Sequence, residues 1–84
     1  MIFDVALWRL WRLGESAPSL PVVAWVDAPN AWSAIERVMG WYGLRYAGHA
    51  AAAAQDGSLV YRAFGVRCDW ENRAGERRCA DGLL

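Results

Sequence analysis

The sequence predicts an α+β fold: a four-stranded antiparallel sheet with one helix across one face, in the order ββαββ. Three observations predict it. A β-branched and aromatic run, Leu20–Asp27, leads directly into a segment with helical periodicity. Two further strand-like runs, Arg45–Ala54 and Leu59–Cys68, flank an Asp56-Gly57 turn. At the N-terminus, Phe3, Val5 and Leu7 alternate with Asp4 and Ala6, as a half-buried strand requires.

The first strand joins the second through a Gly-, Ser- and Pro-containing loop over 14–21. An alternative stays open here. Asp4 could cap a helix over residues 4–13 that ends at Gly14 and gathers Arg9 and Arg12 on one side. In the second strand Val22, Ala24 and Val26 share one face, and Val23 and Trp25 take the other. The branched set is expected to meet the helix, which leaves Trp25 on the open face.

Asn30 supplies the helix N-cap, because its side-chain oxygen can accept an amide of the first turn. Trp32, Ile35, Val38, Met39 and Tyr42 recur at helical spacing as one apolar stripe. Gly43 stops the helix, since a glycine takes the left-handed conformation at little cost. A two-residue turn at Asp56-Gly57, with positive φ at both, sets Ala52 opposite Tyr61, Ala50 opposite Ala63 and His49 opposite Phe64. Val60, Phe64 and Val66 form the more apolar face of this hairpin and are assigned to the helix side. Tyr46 and Tyr61 then join Trp8 and Trp25 on the open face, and Gly48, Ala50, Ala52, Ala63 and Gly65 leave room there for a visitor.

Residues 1–68 make up this domain, and residues 69–84 read as a charged tail or a short hairpin. In the hairpin alternative, a turn around Glu71–Glu76 sets Cys68 across from Cys79, where the two thiols could form a cross-strand disulfide or bind a metal as a pair. Two cysteines are too few for a structural zinc site. The start of the chain lacks the basic leader and uninterrupted apolar stretch of a signal peptide, and no run reaches the ~20 apolar residues of a membrane-spanning helix. A cytoplasmic location follows as the default expectation, with both cysteines as free thiols.

Composition narrows the function classes. Nine acidic and nine basic residues cancel, and every base is arginine. A nucleic-acid binder ordinarily carries a basic excess, so neutrality counts against that class. No catalytic constellation is present: His49 is the sole histidine, with no triad or metal-ligand spacing around it. Cys68 would need His49 beside it to act as a nucleophile. The expectation is a non-enzyme with no cofactor and no metal.

Six tryptophans are the outstanding feature, because one helix on a small sheet has room for two or three such rings. Tryptophan, tyrosine and arginine dominate interface hot spots. Trp8, Trp11, Trp25, Tyr46, Tyr61, Arg9 and Arg12 are therefore the expected partner-binding residues of a protein-interaction module, which binds through the sheet face or, by strand addition, through a sheet edge. Such a module is a homo-oligomer or an accessory subunit of a larger assembly. Two alternatives remain: base stacking on single-stranded nucleic acid, and membrane-surface association if residues 4–13 are helical.

Overall fold

In the computed structural model, residues 1–11, 21–69 and 78–81 are described. They form β1 (Ile2–Trp11), β2 (Val22–Asp27), α1 (Ala31–Trp41), β3 (Tyr46–Ala54), β4 (Val60–Asp69) and β5 (Arg78–Asp81). The fold is α+β, an antiparallel sheet with one helix. The sheet order is β2-β1-β3-β4-β5. Because β1 is antiparallel to both β2 and β3, α1 carries the chain over β1 from one to the other. Residues 2–11 are strand, which removes the N-terminal helix over those positions; residues 12–13 lie outside the described residues.

The helix boundaries follow local chemistry. Asn30 has an extended backbone, and its carboxamide oxygen accepts the Ser33 amide at 2.8 Å. At the other end Gly43 takes φ 66, and the Leu44 amide donates to the Met39 carbonyl at 3.0 Å. The apolar stripe is centred differently from the expectation. Ala31, Ala34, Ile35, Val38 and Met39 are buried, Trp32 is half-buried, and Tyr42 lies past the last turn and is exposed.

Strands β3 and β4 pair in the expected register, Ala52 to Tyr61, Ala50 to Ala63 and His49 to Phe64. The turn differs. Of Asp56 and Gly57 only Gly57 has positive φ, at 78. The Asp56 carboxylate accepts the Ser58 amide at 2.8 Å, and the Leu59 carbonyl accepts the Ala54 amide. A four-residue loop with its own side-chain bond thus closes the hairpin in place of a two-residue turn. Strand β5 pairs with β4, setting Cys68 opposite Cys79. Cys68 is disulfide-bonded, and Cys79 is the only other cysteine in the chain. The free-thiol expectation is thereby corrected: adjacent strands bring the two positions face to face, at a separation a disulfide spans.

The face assignment of the later hairpin is inverted for Val60 and Phe64, while Val66 is buried in the core as expected. Val60 and Phe64 are exposed, whereas Tyr61 packs against the core and Ala63 is buried. The pairing of β3 with β1 decides this. Ala50 lies opposite Leu7 and Ala52 opposite Val5, so these alanines share the helix side with the β1 core residues. Their β4 partners, Ala63 and Tyr61, must follow. The small residues therefore admit α1 to the sheet and leave the open face to larger side chains.

Alternation then slips by one position across three strands at the same level. Trp8, His49 and Phe64 form one row. Two positions further along, Leu10, Ala47 and Val66 are buried, where strict alternation would expose them. Arg9 has φ 54 and Gly65 φ 64, so both strands rotate there while register is kept. Gly48 lies between them because a Cβ at that position would sit 2.8 Å from the Arg9 Cβ.

Candidate functional site

The side of the sheet away from α1 is assembled from three rows. Trp25, Asp4, Ala53 and Val60 form the first, and Val23, Ala6, Ala51 and Arg62 the second. Trp8, His49 and Phe64 form the third. Val23 is 70 % exposed, Trp25 69 %, Val60 60 % and Phe64 55 %. These four large apolar side chains stand on one surface, with the alanines of β1 and β3 forming a low floor between them.

The third row is a stack of rings. The Trp8 and His49 centroids are 4.7 Å apart at 22°, and those of His49 and Phe64 are 4.6 Å apart at 6°. Both faces of the imidazole are thus covered. Arg62 Nη1 lies 3.5 Å from His49 Nε2, a position from which it can donate only to a neutral ring. Burial holds the His49 imidazole below the usual 6.5, and Arg62 and then Arg9 act in the same direction. The resulting stability is present above the usual histidine value and is lost as pH falls through the lowered one.

Asp4 is the one acidic group in these three rows. Its Oδ1 is buried and has no hydrogen-bond partner among the described residues.

Of the expected partner-binding residues, Trp8 and Trp25 lie on the open face, and Arg9 is exposed at the point where alternation slips. Tyr46 is half-buried beside buried Ala47. Tyr61 is on the other side, where its ring meets Trp32 edge-on at 6.3 Å. Trp11 ends β1, and Arg12 lies outside the described residues. Sequence reasoning put Val23 on the face of Trp25 without naming it as a binding residue, and missed Val60, Phe64 and Asp4 on that surface. The alternation of Val23 with Val22 and Ala24 was the signal for Val23.

The structure does not bring Cys68 and His49 together. Cys68 is buried on the core side and disulfide-bonded, whereas His49 is on the open face. Among the described residues no cluster of three His, Cys, Asp or Glu side chains could hold a metal ion, and no helix is long and apolar enough to cross a membrane. No family model, curated protein or solved structure matches the chain.

Proposed function

We propose that this chain is a protein-interaction module, a homo-oligomer or a small accessory subunit, that binds through the open face of its sheet. The observation that carries this reading is the gathering of Val23, Trp25, Val60 and Phe64, each more than half exposed, on one surface. Fully burying one such side chain contributes roughly 1.5–3 kcal/mol, so covering several offsets part of the cost of association. Arg9 and Arg62 supply exposed polar groups beside the apolar ones.

The ring geometry favours protein over nucleic acid. Base stacking needs aromatic faces open to solvent, but the imidazole of His49 is enclosed on both sides by Trp8 and Phe64. Net charge is zero. Membrane-surface binding rested on a helix at residues 4–13, and residues 4–11 are strand.

Light scattering of the purified chain at low and high salt tests the reading. Self-association through an apolar face predicts the same oligomer at both salts. An assembly that dissolves in high salt would contradict it and favour charge-driven binding. A monomer at both salts would sink the homo-oligomer form and leave a foreign protein as the partner.

A further inference from the structure

We propose that two copies of the chain join β2 to β2 about a two-fold axis at Ala24, so that one sheet runs through both. This rests on the reading of the chain as a self-associating module and names the contact that makes the dimer.

Strand β2 is an edge of the sheet. Its phase is fixed at one end, where the Ala28 amide donates to the Met1 carbonyl at 3.0 Å. Antiparallel pairing alternates from there, so Val26, Ala24 and Val22 exchange hydrogen bonds with Phe3, Val5 and Leu7 of β1. The amides and carbonyls of Val23, Trp25 and Asp27 point the other way, off the edge. Those of Val23 and Trp25 have no partner among the described residues. The Asp27 carbonyl is already occupied, accepting from Arg37 Nη1 at 2.6 Å. Pro21, in the same phase, has a carbonyl and no N–H.

The outward groups are therefore three donors, on Val23, Trp25 and Asp27, and three free acceptors, on Pro21, Val23 and Trp25. One antiparallel register satisfies all of them. Val23 faces Trp25 of the second copy, and the two exchange a pair of hydrogen bonds on each side of the axis. The Asp27 amide meets the second copy's Pro21 carbonyl. The residue without a donor thereby lies opposite the carbonyl that Arg37 has filled.

Neighbouring registers do worse. Centring the axis on Val23 sets the Trp25 carbonyl against proline. Centring it on Trp25 sets the Val23 amide against the occupied Asp27 carbonyl.

Side chains agree with this register. On the open face each exposed Val23 meets an exposed Trp25, a β-branched and aromatic cross-strand pair. At the axis Ala24 meets Ala24 in the close, non-hydrogen-bonded type of pair, where a small side chain fits. No charged residue guards the stretch Pro21–Val26, as charges usually do on an edge that must stay unpaired. An isologous contact also closes on itself, whereas pairing β2 with β5 of another copy would propagate.

Two variants of the full chain test the proposal. Val23→Pro removes an outward amide and leaves the β1 ladder untouched. Its solution mass should fall about two-fold from that of the wild-type dimer, as loss of an isologous contact requires. Ala24→Cys, mildly oxidised and digested, should yield a peptide linked to itself at position 24, with Ala6→Cys as a control that does not cross-link. A wild-type dimer that survives Val23→Pro and gives no position-24 link would overturn the edge contact and leave self-association standing. Mass that grows without limit as concentration rises would overturn the closed dimer. A monomeric wild type would overturn the edge dimer together with the homo-oligomer form of the module, and leave a foreign protein as the partner.

Discussion

Arg9 and Gly48 show how one residue's conformation dictates another's identity. Arg9 holds φ 54, which for a non-glycine side chain costs on the order of 1–3 kcal/mol. Its side chain then lies over Gly48, where an added Cβ would come within 2.8 Å of the Arg9 Cβ, an atom that cannot swing away. Gly48 is needed for space, since its own backbone does not take positive φ. Gly48→Ala should destabilise the fold by about 1–3 kcal/mol, as overpacking does. In an Arg9→Gly background most of that loss should vanish. Urea denaturation of the two single variants and the double variant measures the coupling, expected at about 1 kcal/mol or more. Additivity within about 0.5 kcal/mol would show that the two residues do not meet.

Among the elements, those built by local chemistry were legible in the sequence. The Asn30 cap, the Gly43 stop and the register of β3 with β4 all depend on residues close along the chain. The face of the β3–β4 hairpin was not legible, because a non-local pairing sets it. Only the lineup of Ala50 with Leu7 and Ala52 with Val5 turns Tyr61 inward and Phe64 outward. The slip in alternation was also hidden, since Arg9 gives no sequence sign of positive φ. Cys68 belongs to the same lesson: simple alternation sets it on the His49 side, and the slip moves it to the core. The inverted face has a measurable consequence. Tyr61→Ala should lower stability by about 2 kcal/mol or more, because it empties space against the core and the edge of Trp32. Phe64→Ala removes chiefly a ring stack, worth about 0.5–1.5 kcal/mol. Denaturation midpoints in the reverse order would contradict the assignment.

For the molecule as a whole, the tryptophans whose side chains are described lie outside an alanine-rich core. The seam between helix and sheet is built largely of alanine: Ala31 and Ala34 on α1, and Ala50, Ala52, Ala54 and Ala63 on the strands are all buried. Of the four tryptophans whose side chains are described, Trp8 and Trp32 are half-buried and Trp25 and Trp41 are exposed; none belongs to the buried core. The alanine run, which by itself suggested a weak strand, lines the helix side of β3, and Trp25 and Trp41 lie outside that core. The aromatic residues on the sheet's far side collect into a surface, and that surface is the central claim. Hydroxyl-radical footprinting across a dilution series tests it most directly, because Trp25 and Trp41 start from similar exposure on different sides of the molecule. Modification of Trp25, which faces Val23 of the second copy, should fall as the chain is concentrated, while that of Trp41 stays constant. Equal modification of Trp25 and Trp41 at every concentration would contradict a self-covering face.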